Sequence, residues 1–261
     1  MSSATKRTVL ITGSTSGIGM AIARMYAQKG YNIIFNGLEP NGVEIAAGIA
    51  AEFGIDHLFF PANMADPAQI SDMAAHSLER FGVVDILINN AGIQFVSPVE
   101  DFPDAKWDAI IDINLNAAFH MTKALWPAMK AQKFGRIINI ASAHGLIASP
   151  FKSAYVSSKF GIVGFTKTMA LEGGEFGITA NAVCPGYVFT PIVENQIPDQ
   201  MKAHNMTREE VIEKVFLKEH AVKEFITVEA IAESVLFLTE SAAASVTTGI
   251  ALSVDAGWTA H

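Results

Sequence analysis

The sequence predicts an α/β fold in which a parallel sheet is covered by helices on both faces. Three observations support this prediction. Short apolar runs alternate along the chain with amphipathic segments of helical period. The runs are almost continuously apolar, which is typical of strands buried on both faces of a parallel sheet. No Pro-, Gly- or Ser-rich linker divides the 261 residues, so we expect a single domain over residues 1–261.

Each strand is predicted from a short apolar run. The first run, TVLIT, is rich in β-branched residues, and a glycine-rich loop follows it. In chain order, the strands are predicted at residues 8–12, 31–36, 57–60, 85–89, 136–140, 179–184 and 250–254.

The helices are predicted from apolar residues that recur on one face and from end signals. Ile18, Ala21, Ile22 and Met25 share a face, and Gly30 ends that helix. Another helix begins with Asp66 as its N-cap and Pro67 at its first position. The predicted helices are residues 17–30, 41–53, 67–81, 104–129, 155–173 and 228–238.

Residues 191–223 interrupt this alternation. The segment is rich in charged residues and has few apolar ones. It follows the carboxyl end of a predicted strand, and ligands of open α/β sheets bind at that edge. We therefore predict a helical insertion that acts as a substrate lid over residues 187–223.

Charge argues against two classes of partner. The chain has 18 Lys and Arg against 26 Asp and Glu, a net charge of −8, and its longest basic run is Lys6-Arg7. A nucleic acid or an anionic membrane surface would favour basic patches. We therefore expect neither as a partner.

Cysteine and histidine usage argues against disulfides and metal sites. Cys184 is the only cysteine, and no two histidines are spaced i, i+4 as in a helix-borne zinc motif. The first eight residues are polar, and no apolar stretch approaches 18 residues. We expect no secretion signal, no membrane span and no metal, and a reducing compartment, which in a bacterial cell would be the cytoplasm.

The loop after the first strand has the composition of a dinucleotide site. Gly13 permits a tight turn, Gly17 allows the backbone to approach a pyrophosphate, and Gly19 allows close packing of helix and strand. The following helix offers free N–H groups to phosphates. The alternative is an ordinary glycine-rich turn, which the position directly after the first strand makes the weaker interpretation. The predicted contacts are Gly13, Thr15, Ser16, Gly17, Ile18 and Gly19.

The end of the second strand favours NAD over NADP. A 2′-phosphate needs a basic partner, and neither Asn36-Gly37-Leu38-Glu39 nor the glycine loop contains one. Glu39 is displaced from the usual position of the acidic residue that binds the ribose, so we do not rely on it.

Tyr155 and Lys159 form a candidate acid/base pair. They are four residues apart near the start of a helix and share a face. A nearby ammonium lowers the pKa of a phenol, which would allow Tyr155 to exchange a proton with an alcohol or a ketone. Ser142 follows the fifth strand and lies at the same sheet edge. Asn114 is an amide within a predicted helix, which often marks a special hydrogen bond.

Taken together, these motifs resemble the short-chain dehydrogenase/reductase family over nearly the whole chain. The resemblance implies a Rossmann-type sheet of about seven strands and a homotetramer. It also implies roles: Tyr155 as acid/base, Lys159 on the nicotinamide ribose, Ser142 on the substrate oxygen, and Asn114 positioning a relay water. The further cofactor contacts implied are Asn63, Met64, Asn90, Ala91, Gly92, Tyr155, Lys159, Pro185, Gly186, Val188 and Thr190.

Within that family, several segments resemble the bacterial D-3-hydroxybutyrate dehydrogenases. They are residues 90–94, 137–146, 152–155 and 254–258. This resemblance implies oxidation of a small anionic 3-hydroxy acid to the 3-oxo acid. The substrate contacts implied are Gln94, Ser142, His144, Lys152, Tyr155, Tyr187 and Gln196.

Two residues depart from the usual pattern of that group. Tyr187 replaces the usual Trp, which makes the aromatic wall smaller. Asn63 replaces the usual Asp at the adenine. His144 is equally compatible with a supporting hydrogen bond and with direct contact to the substrate.

Two other functions remain as alternatives. A reductase of carrier-bound 3-oxoacyl thioesters usually uses NADPH and a basic docking surface, which the charge pattern does not favour. A non-catalytic dinucleotide sensor typically lacks the Tyr/Lys pair, and this chain retains it.

Overall fold

The computed structural model describes residues 6–260, except for the side chains of Pro191, Ile192, Asn195, Gln196, Asp199 and Ala203. Its described residues build a seven-stranded sheet in the order β3-β2-β1-β4-β5-β6-β7, in which every neighbouring pair is parallel. The predicted fold class is therefore confirmed. The strands are β1 Thr8–Ile11, β2 Asn32–Asn36, β3 His57–Phe60, β4 Ile86–Asn89, β5 Gly135–Ile140, β6 Ile178–Pro185 and β7 Ala251–Val254.

The apolar residues of the central strands alternate between two separate cores. Val9 and Ile11 of β1 belong to one core, and Leu10 between them belongs to the other. Successive side chains of a strand point to opposite faces, so the near-continuous apolar runs bury both faces of the sheet.

The helices lie where the apolar periodicity predicts them, with small shifts at their ends. Asp66 caps α3 by accepting hydrogen bonds from the Ala68 and Gln69 N–H groups, and Pro67 occupies the first turn. No helix in residues 6–260 combines the length and apolarity needed to cross a membrane. The helices outside the insertion are α1 Gly17–Gln28, α2 Gly42–Phe53, α3 Pro67–Phe81, α4 Asp104–Ile111, α5 Ala117–Gln132, α6 Ser153–Gly173 and α9 Val228–Glu240.

The single helix predicted over residues 104–129 is wrong in one respect. A π-helical turn, Asp112–Asn116, separates α4 from α5. A π-turn is a single wide turn inside an otherwise regular helix, so the apolar residues on either side of it still predict helix.

The chain order places a crevice between β1 and β4. The strand numbering reverses there, so the connections of these neighbouring strands leave toward opposite faces. The glycine loop follows β1, and Asn90 follows β4. Such a reversal opens the ligand crevice of doubly wound sheets at the carboxyl edge.

The charged insertion has an apolar centre of its own. It contains α7 Pro191–His204, α8 Arg208–Val211 and a π-helical turn, Ile212–Phe216. Val193, Ile197, Val211 and Phe216 are buried together. The expectation of few apolar residues in this segment is therefore wrong, because apolar residues lie between the charged ones and pack against one another.

Both ends of the insertion are held at fixed places. Val188 pairs with Ile226 in a parallel bridge. The Ala256 carbonyl accepts hydrogen bonds from the Ala221 N–H (2.8 Å) and the Val222 N–H (3.0 Å). The insertion thus leaves and rejoins the fold at adjacent points. Its action as a lid, and the assignment of residues 1–261 to a single domain, stay predictions.

Candidate active site

The glycine loop between β1 and α1 adopts a conformation that depends on its glycines. Gly13 and Gly17 have φ angles of 61° and 51°, in the left-handed region that favours glycine. A Cβ on Gly19 would lie 2.1 Å from the Gly13 carbonyl oxygen. The loop can therefore fold tightly against the start of α1 only without side chains at these positions.

The start of α1 is suited to binding phosphate. The helix begins at Gly17, and the hydroxyl of its N-cap, Ser16, makes no hydrogen bond to the helix. The first-turn N–H groups therefore keep no side-chain partner within the described residues. Such N–H groups and the positive end of the helix dipole attract anions. A dinucleotide pyrophosphate fits this cradle.

Two asparagines hold the loop from either side. The Asn90 side-chain amide donates to the Thr12 carbonyl (2.9 Å) and the Gly13 carbonyl (3.0 Å). The Asn36 side-chain oxygen accepts from the Gly13 N–H (3.1 Å), and its amide donates to the Phe60 and Ala62 carbonyls. Asn90 is a predicted cofactor contact, but both its amide protons are used on the loop. The Asn90 amide therefore supports the loop, and its contact with a cofactor stays a prediction.

Glu39 reaches back to the glycine loop. Its carboxylate accepts hydrogen bonds from the Thr15 hydroxyl and, at 3.2 Å, from the Ser16 hydroxyl. Burial raises the pKa of Glu39, but hydrogen bonds from these hydroxyls and from the backbone outweigh it and hold the pKa below its usual value. Glu39 reaches the glycine loop although it is displaced along the sequence, because the turn after Gly37 folds against Thr15.

Tyr155 and Lys159 meet at the carboxyl edge of the sheet. One turn of α6 separates them, and the Lys159 Nζ lies 5.5 Å from the centre of the Tyr155 ring. The same Nζ donates to the Ile140 carbonyl at the end of β5 (2.8 Å). Lys159 is buried, so this bond fixes the ammonium beside the phenol.

Burial dominates the proton affinities of this pair. Burial raises the pKa of Tyr155, while a hydrogen bond with the Ser142 side chain lowers it by less. Burial also lowers the pKa of Lys159 to about 8. We expected the ammonium to lower the phenol pKa. In the structure, removal from water has the larger effect.

Ser142 and His144 lie beside the phenol. The Ser142 hydroxyl accepts from the His144 N–H (3.1 Å). The His144 ring lies edge-on to the Tyr155 ring at 5.9 Å, and its Nε2 is 2.9 Å from the Ser149 hydroxyl. Burial, with a smaller contribution from Lys152, lowers the pKa of His144 to about 4. The imidazole is therefore neutral at physiological pH, and one of its nitrogens is bound to Ser149.

Asn114 lies in the π-helical turn and links two sides of the site. Its side-chain oxygen accepts from the Ile93 N–H (2.8 Å). Its amide donates to the Ile93 carbonyl (3.0 Å) and the Ser158 hydroxyl (3.2 Å). The loop after β4 is thereby tied to α6. The wider turn is a physical reason for the unusual amide in this helix.

Comparison with known proteins assigns the fold and the site to a family. The family model described as short chain dehydrogenase matches residues 7–201. The chain belongs to this family.

Curated relatives and a solved structure agree with that assignment. D-beta-hydroxybutyrate dehydrogenases from Rhizobium meliloti (strain 1021) and Cupriavidus necator are 52% and 45% identical to the chain. The first alignment covers 98% of the chain and 99% of the relative, and the second covers 98% of both. The structure of a variant actinorhodin polyketide ketoreductase with NADPH is 31% identical, with a TM-score of 0.91 and 98% of each chain covered.

The predicted substrate contacts of this short-chain dehydrogenase are only partly brought together. Lys152 precedes α6 and is half-buried, and burial lowers its pKa. Among the described residues it has no ion-pair partner. Gln94 is exposed. Gln196 lies on α7, and its side chain is outside the described residues.

Tyr187 forms an aromatic wall with a residue near the end of the chain. Its ring stacks on Trp258 with centres 5.0 Å apart and an angle of 11°. Trp258 also lies edge-on to His144 at 5.2 Å. Trp258 is almost fully buried. The wall is therefore formed by two stacked rings, those of Tyr187 and Trp258.

Of the remaining predicted cofactor contacts, two point away from the crevice. Met64 is buried in the core on the α3 face, and Val188 is buried in the opposite core. The Asn63 side chain accepts from the Ala65 N–H (3.0 Å). The contacts of Met64, Val188 and Asn63 with a dinucleotide stay predictions.

The others lie around the crevice. The Ala91 N–H donates to the Thr12 hydroxyl (3.0 Å). A Cβ on Gly92 would lie 3.7 Å from the Lys159 Nζ, and a Cβ on Gly17 would lie 3.9 Å from the Thr190 methyl group. Ile18 is in the first turn of α1, and Pro185 and Gly186 end β6 and begin the loop that leads to Thr190. Contact of these residues with a dinucleotide is untested by the structure.

Sequence reasoning did not assign Asn36 or Ser149 to the site, and it set Glu39 aside. Asn36 ends β2, and Glu39 follows it three residues later. Ser149 orients the His144 ring by a hydrogen bond. Asn36 is a polar residue ending an apolar strand, a signal that was present in the sequence. Ser149 gave no signal, because a serine in a loop has many uses. Among the described residues, no group of three His, Cys, Asp or Glu side chains lies close enough to hold a metal ion.

Proposed function

We propose that this short-chain dehydrogenase catalyses the reversible, NAD-dependent oxidation of (R)-3-hydroxybutyrate to acetoacetate. The observation that carries the proposal is Lys152, a half-buried cation without a carboxylate partner among the described residues. The charge of Lys152 helps to lower the pKa of His144. The His144 ring lies edge-on to the Tyr155 ring, so Lys152 lies near the proposed acid/base. A buried cation is stabilised by an anion, so a short acid with its hydroxyl at Tyr155 would suit both ends of the site. The names of the two curated relatives support the same substrate.

The proposed chemistry assigns one task to each residue. NAD, when bound, supplies the acceptor for a hydride from C3 of the substrate. Tyr155 takes the hydroxyl proton, and Ser142 holds the oxygen that becomes the ketone. Lys159 binds the nicotinamide ribose and keeps positive charge beside the phenol, whose ionised form is otherwise disfavoured by burial. In reduction, Tyr155 returns the proton.

Glu39 supports NAD as the cofactor. An ionised carboxylate bound to Thr15 and Ser16 would repel a 2′-phosphate at the adenosine ribose and can accept a bond from a ribose hydroxyl. The alternative is NADPH-dependent reduction of a 3-oxoacyl thioester or another 3-oxo acid. The structural relative solved with NADPH is the observation in its favour. Assembly as a homotetramer in the cytoplasm is part of the proposal and rests on the family resemblance.

The function is tested by following NADH formation with purified protein, NAD and each enantiomer of 3-hydroxybutyrate. We expect turnover of the R enantiomer alone and much slower turnover with NADP. Failure with both enantiomers would refute the proposed substrate, and longer and thioester-linked 3-hydroxyacyl compounds would then be assayed.

Lys152→Met tests the carboxylate contact separately. We expect the KM for the acid to rise at least tenfold, because a charged hydrogen bond contributes about 1.5–3 kcal/mol, while the KM for NAD stays unchanged. Lys106→Met, which removes an exposed lysine that stacks on Phe95, is the control. An equal rise in both KM values for Lys152→Met would contradict the role of Lys152.

A further inference from the structure

Phe151 has a strained backbone at the entrance to α6. Its φ angle is 65°, in the left-handed region that is sterically unfavourable for a residue with a Cβ. Three other non-glycine residues among those described have a positive φ. Lys133 and Asn205 follow the ends of α5 and α7, where this conformation is common, and Ala256 follows β7. Phe151 lies before a helix, where helix capping does not explain it.

The Phe151 side chain does not hold the backbone in this conformation. The ring is 56% exposed, so packing contributes little. The main chain has a specific partner, since the Phe151 carbonyl accepts a hydrogen bond from the Ser97 N–H (2.9 Å). Strain of this kind persists where surrounding contacts impose it, and it clusters at functional sites.

This hydrogen bond joins the two loops that carry the proposed carboxylate contacts. Ser97 is in the loop after β4, three residues beyond Gln94. Phe151 immediately precedes Lys152, whose carbonyl accepts the Val156 N–H in the first turn of α6. Ser149, which lies two residues before Phe151, forms a hydrogen bond with the His144 ring. The strained residue thus lies in a short turn whose other members contact the site.

We propose that Phe151 is a positioning residue. Its left-handed backbone directs its carbonyl to the Ser97 N–H and so holds the loop after β4 close to the start of α6. The two loops thereby place Gln94 and Lys152 on the same side of the substrate carboxylate. The inference rests on the proposed function, because it concerns the binding of the substrate carboxylate. It assigns the role to the backbone conformation and not to the aromatic ring.

Substitutions that separate conformation from side chain test this assignment. Asn and Gly tolerate a left-handed backbone, whereas β-branched Val does not. Phe151→Asn and Phe151→Gly should keep the KM for 3-hydroxybutyrate within about twofold of wild type. Phe151→Val should raise it about tenfold, since a conformational penalty of about 1.4 kcal/mol is a factor of ten, and should leave the KM for NAD unchanged.

Lys133→Val is the matched control. It places the same β-branched residue at a left-handed position (φ 55°) at the opposite edge of the sheet, before β5. It should lower thermal stability without changing either KM. Should Phe151→Val fail to fold, Phe151→Ala is compared with Phe151→Asn, because both lose the ring and only Asn favours the left-handed region.

The outcomes are distinct. Loss of substrate affinity in the Asn and Gly variants with a normal Val variant would assign the role to the ring and overturn the proposal. Unchanged KM in all variants, or a KM for NAD that changes equally, would also overturn it. A wild-type protein that oxidises neither enantiomer would refute the proposed function itself, which the first measurement reveals.

Discussion

The Glu39 carboxylate lies 3.2 Å from the Ser16 hydroxyl, at the entrance to the first turn of α1. It therefore places a negative charge next to the cradle in which the phosphates of a dinucleotide would bind. Burial does not remove this charge, because hydrogen bonds from Thr15, Ser16 and the backbone hold the pKa of Glu39 below its ordinary value.

Glu39→Gln should weaken the discrimination between cofactors. Removing the charge relieves repulsion of a 2′-phosphate, and we expect NADP affinity to rise about tenfold, which corresponds to about 1.4 kcal/mol. Fluorescence titration with NADH and NADPH measures both affinities. Glu44→Gln removes an equal charge from the exposed first turn of α2 and serves as control. If both variants gained NADP affinity equally, long-range charge and not the Glu39 contact would be responsible.

Tyr155→Phe should abolish turnover while NAD affinity stays near wild type. General acid–base catalysis contributes about 10²–10⁴-fold, so the loss should be at least a hundredfold. The matched control is Tyr187→Phe, which removes a neighbouring phenol oxygen and keeps the stacking on Trp258. Substantial activity in Tyr155→Phe would contradict the assigned acid/base.

Lys159 should make stability depend on pH in the alkaline range. Its pKa is about 8 in the fold against an ordinary value of 10.5, so between these values the unfolded chain binds more protons. Stability contributed by this group therefore rises with pH across that window, by at most about 1.4 kcal/mol per pH unit.

Urea unfolding of wild type and Lys159→Met at pH 7 and pH 9.5 measures this effect. The variant has no such titration, so the wild type should gain stability relative to the variant on going to the higher pH. A constant difference between the two proteins would show that Lys159 is not shifted.

Two glycines should respond oppositely to substitution by Ala. Gly19→Ala places a Cβ 2.1 Å from the Gly13 carbonyl and should disrupt the loop and lower NAD affinity. Gly48 lies inside α2 with open space around its missing Cβ, so Gly48→Ala should raise the free energy of unfolding by about 0.5–1 kcal/mol. Thermal melts and NADH titration of both variants test this contrast. A Gly19→Ala protein with normal affinity would show that the loop does not need its close packing.

Much of the fold was predictable because apolar residues report burial directly. The strand predicted at residues 57–60 coincides with β3, and the predicted N-cap Asp66 is the observed N-cap of α3. The π-turn around Asn114 was not predicted, since the apolar residues on both sides of it indicate helix. The apolar centre of the insertion was also missed, because a count of charges does not show which few residues face each other.

For the candidate site, sequence motifs indicated which residues gather but not how they are bonded. The placement of Tyr155 and Lys159 follows from helix geometry. The hydrogen bond that Thr15 donates to Glu39, and those that Asn90 donates to the glycine loop, depend on the conformation of turns between elements. A single sequence does not specify these conformations. Likewise, a nearby lysine suggests a lowered phenol pKa, whereas the actual balance depends on the depth of burial.

The pairing of Val188 with Ile226 has a consequence for how this protein can change. The two ends of the insertion are held side by side by contacts that do not involve α7 or α8. Doubling the length of a loop whose ends already meet costs only about 0.6 kcal/mol. The segment between these residues can therefore be lengthened, shortened or exchanged as a cassette while the sheet and the glycine loop stay intact. Diversification in evolution, and grafting in the laboratory, would begin at these two residues.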